Sequence, residues 1–358
     1  MRTILLTFFT IAQTFFADAQ SLIETADSLK ESRGIPAMAY AAMSADSLYV
    51  IAAVGYVKAG EKAPVDQNSF FHLGSNTKAM TGFIAAYLVE RGDIEWDTRF
   101  FDLFPELKKS SRREYRNMTM KQLLSHRTGM RAFTSGYEFL AVPEFQGSKS
   151  EMRKMFVNYV LGLPRAESTG SFSYSNAGYS AAAMMLEKAA GKSWELLLTE
   201  VFGEKLGMRV ITGWPNRYDG AEPYGHTMVN GILTPLGSDS EYDLSLIEPA
   251  GDVSMSIKDY AQFIKLNLEG LAGRDNLLKA ETYRFLHDCL PDYAIGWGNV
   301  SENGKSYSEH AGSAGTFYCY AFIDRAAGRG YIAIANRADE TAQQGVADMI
   351  GLLINTFR

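Results

Sequence analysis

Ser75 and Lys78, in the segment Gly74-Ser75-Asn76-Thr77-Lys78, stand three residues apart ahead of a long apolar run, and no other serine in the chain is followed by lysine at that spacing. A helix turns once in about 3.6 residues, so the two side chains share a face. A serine hydroxyl is a weak nucleophile at neutral pH and needs a base within hydrogen-bond reach. Lys78 is placed to be that base, provided that burial or neighbouring cations bring its pKa from about 10.4 to roughly 7–8, a shift of about 4 kcal/mol. Tyr174-Ser175-Asn176 offers a phenol to share the proton transfer, beside an amide that both donates and accepts. His310-Ala311-Gly312-Ser313 falls at a predicted strand end. A backbone N–H there, paired with that of Ser75, would form an oxyanion hole worth about 2.7–4 kcal/mol per donor. The plainer readings are an N-cap for Ser75, a solvated first-turn Lys78 and turn residues at Tyr174 and Asn176. Three motifs in order favour chemistry over these; for His310, a site role and a backbone-satisfied strand residue both stay open.

The elements that must position these residues are legible from periodicity. Ser21 to Arg33 is amphipathic, with Leu22, Ile23, Ala26 and Leu29 on one side, and stops at Gly34 and Pro36. Ala37–Met43 and Leu48–Val54 are apolar runs around a turn at Ser44 to Ser47, which predicts an antiparallel hairpin. Ala79, Phe83, Ala86 and Tyr87 give the helix after Ser75 a buried stripe that Gly92 ends. From Asp93 to about Leu290 helices dominate, opened by Thr119, Ser193 and Ser256, the last with Asp259 in a capping-box pattern. Arg131 to Gly147 and Arg217 to Ser245 lack a period and are expected to be surface loops that shape a cleft. Ser306–His310, Thr316–Ile323 and Tyr331–Asn336 predict three strands, and Thr341–Phe357 a closing amphipathic helix. The fold class is therefore α+β: an antiparallel sheet built from the N- and C-terminal segments (about 20–75 and 295–358), flanked by helices and interrupted by a large helical insertion (about 76–294).

The first nineteen residues carry Arg2, an apolar run from Ile4 to Phe16 and small Ala17 and Ala19, the pattern of a secretory signal cleaved after Ala19. The apolar stretch is shorter than the roughly 20 residues of a spanning helix, and no cysteine follows the cleavage point, so no stable membrane anchor is expected. Residues 20–358 then form one exported domain, periplasmic or secreted. With 35 basic and 41 acidic residues the net charge is −6, which argues against a nucleic-acid partner and leaves a small molecule or peptide as the expected substrate. The five histidines are scattered, so neither metal nor cofactor is expected. Cys289 and Cys319 are expected to be buried free thiols. Oligomeric state is not legible.

Ser-x-x-Lys, then Tyr-x-Asn, then a strand bearing His-x-Gly resembles the serine β-lactamase and penicillin-binding-protein superfamily, with its class C branch the best match. That branch also includes D-alanyl-D-alanine carboxypeptidases, D-amino-acid peptidases and esterases. The segments Met120 to Met130, Pro249-Ala250-Gly251 and Tyr293 to Trp297 are similar too, so the likeness spans nearly the whole mature chain. It implies that Ser75 is acylated, that Lys78 and Tyr174 move protons, that Asn176 holds the substrate amide, and that the N–H groups of Ser75 and Ser313 bind the oxyanion, with His310 and Gly312 on the adjoining substrate strand. Dedicated β-lactamases of the branch usually carry Lys-Thr-Gly on that strand; here His310 and Ala311 stand in the first two places, as His does in peptidase and esterase relatives. A fixed charge and a hydroxyl are thereby lost. The resemblance thus implies a D,D-peptidase or esterase-like hydrolase ahead of a true class C β-lactamase, with a non-hydrolysing penicillin-binding sensor as the alternative of another class.

Overall fold

The computed structural model describes residues 22–357; the expected signal segment lies outside them. The main sheet has seven antiparallel strands in the spatial order Leu48–Gly55, Ala37–Ser44, Arg329–Ala335, Tyr318–Asp324, Lys305–Ser313, Gly298–Glu302, Asp292–Tyr293. The front and back of the chain meet inside it, where Met38 pairs with Ala335 and Ala42 with Tyr331.

All eight residues of Ala37–Ser44 are buried. Their alternation feeds two separate cores: Ala37, Ala39, Ala41 and Met43 face one, Met38, Tyr40 and Ala42 the other. Small side chains along this strand let helices lie close on both faces. Helix 22–32 and the Glu340–Thr356 helix cover one face through Leu22, Ala26, Val346 and Leu353. The Ile257–Leu271 helix covers the other through Tyr260, Phe263 and Ile264. Beyond it lies the helical region, centred on Thr77–Glu90. That helix is buried on every side from Thr77 to Leu88 rather than along one stripe, as befits a helix in the middle of a core.

The predicted caps at Thr119, Ser193 and Ser256 each accept a backbone N–H of their helix's first turn. At Ser256 the box is altered: Asp259 takes the serine hydroxyl at 2.5 Å instead of the Ser256 N–H.

The middle of the chain is less purely helical than expected. Phe70–His72, Val253–Ser256 and Val210–Thr212 form a second, three-stranded sheet beside the Ser75 turn. The expected loops hold a short helix, Gly136–Phe139, and a hairpin, His226–Val229 with Ile232–Pro235. Both cysteines are free, and Cys289 is only half-buried.

Candidate active site

Ser75 sits in a single 3-10 turn, Gly74–Asn76, that runs straight into the Thr77–Glu90 helix. Three buried side chains hold the turn. His72 Nδ1 accepts the Gly74 N–H at 3.1 Å while its Nε2–H donates to Asp252 at 3.0 Å, which fixes the tautomer. Thr77 donates its hydroxyl to the Gly74 carbonyl (2.7 Å) and accepts the Val253 N–H (3.0 Å), tying the turn to the small sheet. Asn76 donates to the carbonyls of Leu73 and Cys319 and accepts the Tyr260 hydroxyl at 2.7 Å, tying it to the large one.

The end of the Lys305–Ser313 strand packs backbone to backbone against this turn. A Cβ on Gly312 would lie 2.1 Å from the Leu73 oxygen and 2.8 Å from the Ser75 nitrogen; one on Gly74, whose φ is +54°, would lie 2.3 Å from the Ser313 nitrogen. Only glycine at both positions permits the approach. It brings the peptide of Ser313 against that of Ser75, the two groups expected to supply oxyanion donors. Gly312 thus acts by lacking a side chain.

Lys78 is wholly buried. Its Nζ lies 3.0 Å from Ser75 Oγ, 2.7 Å from Asn176 Oδ1 and 2.6 Å from the Ala250 carbonyl. The Asn176 amide cannot flip, because its Nδ2 donates to the Phe133 carbonyl at 2.8 Å. Among the described residues no carboxylate pairs with Lys78, and burial pushes its pKa well below the usual lysine range. A neutral amine has two N–H bonds and one lone pair. The two carbonyl oxygens can only accept, so they take both N–H bonds and leave the lone pair to the Ser75 hydroxyl.

Tyr174 precedes the Asn176–Ala190 helix, which Ser175 caps by accepting the Gly178 N–H at 3.0 Å. Lys78 Nζ lies 4.6 Å from the centre of the Tyr174 ring. Burial raises the Tyr174 phenol above the usual tyrosine range, with the Ser75 hydroxyl pulling the other way, so the ring keeps its proton at neutral pH. His126 braces this residue from behind. Its carbonyl accepts the Ser173 N–H (2.8 Å), its Nδ1 accepts the Ser175 N–H (3.1 Å), and its ring centre is 4.3 Å from that of Tyr174.

His310 has a different position from the one a substrate-binding cation needs. Its Nδ1–H donates to the Ala311 carbonyl at 2.8 Å, and its Nε2 accepts the Tyr293 hydroxyl at 2.9 Å. Both nitrogens are used within the protein. Burial, aided by Lys78 and opposed by the Ala311 carbonyl, lowers its pKa to about 3, so the ring is neutral.

Ser75, Asn176 and Ser313 open on a cavity of about 680 Å3. The structure therefore brings Ser75, Lys78, Tyr174, Asn176, Gly312 and Ser313 together and sets His310 behind them. Sequence reasoning passed over the Ala250 carbonyl, which carries no side-chain signal, and took in His126 only as part of the segment Met120 to Met130.

An antiparallel sheet, a helical region over one face and a Ser–Lys–Tyr cluster at their junction define the β-lactamase/transpeptidase class, whose relatives here include a hydrolase and an amidase. The chain belongs to the beta-lactamase family, which it matches over residues 22–355. It is 24% identical over 307 residues to penicillin-binding protein 4 of Amycolatopsis lactamdurans, covering 80% of this chain and 77% of that one. It is 25% identical over 280 residues to the unguisins hydrolase ungD' of Aspergillus campestris, covering 71% of this chain and 50% of that one. The chain thus spans about half the length of that hydrolase and 60% of protein flp of Staphylococcus aureus. Among solved structures, the D-amino acid amidase of Ochrobactrum anthropi superposes with a TM-score of 0.75 at 20% identity, over 95% of this chain and 99% of that one. The penicillin-binding protein homologue of Pyrococcus abyssi gives 0.76 at 18% identity, over 94% and 78%. At these identities the structures share the fold.

Proposed function

We propose that the protein is an exported hydrolase that cleaves amide or ester carbonyls through an acyl-enzyme on Ser75. The observation that carries this reading is the 3.0 Å contact between Ser75 Oγ and the Nζ of a buried Lys78 that pairs with no carboxylate among the described residues. Ser75 Oγ attacks the carbonyl carbon and its proton passes to Lys78 Nζ. The carbonyl oxygen becomes an oxyanion that accepts the N–H groups of Ser75 and Ser313. As the carbon–leaving-group bond breaks, the proton on Lys78 returns to the leaving group through the Tyr174 hydroxyl, which takes one proton as it gives another. Water then attacks the ester by the same route in reverse and frees the acid. Tyr174 serves as a relay and Lys78 as the first base, because the phenol stays protonated in the resting site.

Peptidase or esterase-type substrates are favoured over β-lactams, since the Lys-Thr positions hold a neutral His310 and Ala311. Export rests on the N-terminal pattern before Ala19. Incubation with a fluorophosphonate followed by intact-mass and peptide analysis should place one adduct on Ser75. Undiminished turnover in Ser75→Ala would overturn the reading.

A further inference from the structure

The cavity beside Ser75 is walled by Phe133, Phe139, Leu244 and Ile247 together with Glu241 and Asp243, and none of its lining residues is a lysine, arginine or histidine. Tyr137 and Leu140, from the same segment as Phe139, are 85% and 81% exposed, which extends apolar surface along that side. Asp243 Oδ1 accepts the Ser245 N–H and hydroxyl, holding an acidic side chain on the Ser245 wall.

A substrate carboxylate brought into such a space loses water and needs a cation or several N–H donors in return. The basic side chains around the site are committed elsewhere. Lys78 is spent on two carbonyls and Ser75, and His310 on Ala311 and Tyr293. Arg217 donates to the carbonyls of Ser240 and Tyr242 and lies 4.8 Å over the Trp214 ring. Arg131 donates to the Pro164 carbonyl, and Lys149 pairs with Glu248.

We infer that the part of the substrate lying in this cavity is apolar and either uncharged or amine-bearing, and that a carboxylate there is rejected. The inference rests on the acyl-enzyme reading above and narrows it. D-alanyl-D-alanine termini and β-lactams both carry a carboxylate near the reacting carbonyl; amides and esters lacking one fit the walls better. Glu241 and Asp243 set the sign of the preference, and the apolar wall sets the bulk.

Three fluorophosphonates with one apolar spacer, ending in ammonium, hydroxyl or carboxylate, test this without knowledge of the natural substrate. At low ionic strength, where exposed charges are least screened, the carboxylate probe should label Ser75 about tenfold more slowly than the ammonium probe. In the double variant Glu241→Gln, Asp243→Asn that ratio should fall several-fold. A carboxylate probe reacting as fast as the ammonium one overturns the inference, most directly if Arg217→Gln then slows it. An unchanged ratio in the double variant removes Glu241 and Asp243 as its cause and likewise overturns it. Ser75 left unlabelled by all three probes in folded protein would overturn the hydrolase reading itself, a result distinct from labelling without charge preference.

Discussion

His126 Nδ1 accepts the backbone N–H of Ser175, the residue that follows Tyr174, so a buried ring outside the reacting atoms sets the path of the chain at the proton relay. His72 does the same at Gly74, beside the nucleophile. The Nε2 of His126 is buried among rings of Tyr174, Tyr179 and Tyr293 without a hydrogen-bond partner among the described residues, and the residue's φ is +60°. Asparagine tolerates that backbone region, so His126→Asn removes the ring with least strain. Its kcat should fall about tenfold or more with KM little changed, because a displaced relay slows chemistry rather than binding. Equal losses in kcat/KM carried by KM alone would assign His126 to the cavity instead.

Lys78 must be neutral to act. Because burial holds its pKa well below the lysine range, kcat/KM should rise with pH through a group titrating well under 10.5 and stay level through the usual tyrosine range, above which Tyr174 titrates. Lys78→Ala should lose about 10²–10⁴-fold in Ser75 acylation and lose that limb. A pH–rate profile of both proteins is the check.

The neutral state of His310 is measurable directly. Its ring 15N shifts should report Nδ1–H and bare Nε2, unchanged from pH 8 to 5. His287, buried against Trp297, is also lowered to about 3 by burial and then by Arg325. Folded-state values below the unfolded one near 6.5 mean that the unfolded chain binds more protons under pH 6.5. Stability is therefore intact above 6.5 and falls as pH drops from 6.5 towards 3, by about 1.4 kcal/mol per unit for each ring. Urea midpoints at pH 7.5 and 5 should differ in that direction.

Gly312→Ala places a methyl 2.1 Å from a backbone oxygen, which cannot rotate away. The strand end must shift from the Ser75 turn, and with it the Ser313 N–H. Loss of one oxyanion donor predicts about 10²–10³-fold lower kcat, read by ester turnover, with a protein that still melts cooperatively.

Arg153 is fully buried between Glu187, Glu195 and Glu248. Glu248 opens the short Glu248–Gly251 helix whose Ala250 carbonyl accepts Lys78. Arg153→Ala leaves the partly buried Glu187 and Glu195 and the buried Glu248 without their shared cation and should cost about 3 kcal/mol of stability by denaturant titration. Arg153→Lys should recover part of that.

Ser75, Lys78, Tyr174 and Asn176 were legible because each acts through a side chain with distinctive chemistry at a short, ordered spacing. The caps at Thr119, Ser193 and Ser256 and the N-terminal hairpin were legible because local hydrogen bonding and alternation decide them. What escaped depends on distant parts of the chain. The three-residue strands of the small sheet have no period of their own and exist because Phe70–His72 finds Val253–Ser256. The tautomer of His310 is set by its own following carbonyl and by Tyr293, and no motif announces that pairing. One miss was avoidable: Val229-Asn230-Gly231-Ile232 carries the Asn-Gly signal of a two-residue hairpin, with φ of +50° and +80° at the turn, yet it lay in a stretch otherwise without pattern.

Ser75 follows strands from the front of the chain, and Ser313 ends a strand contributed by the back; front and back strands join in the main sheet, where Met38 pairs with Ala335. During synthesis the nucleophile and its lysine emerge more than two hundred residues before the peptide that completes the site. Closing so long a loop comes late in folding. A nascent or still-unfolded chain therefore holds all its reactive side chains but no acylating power, and the protein stays chemically silent until its last strands have found the first.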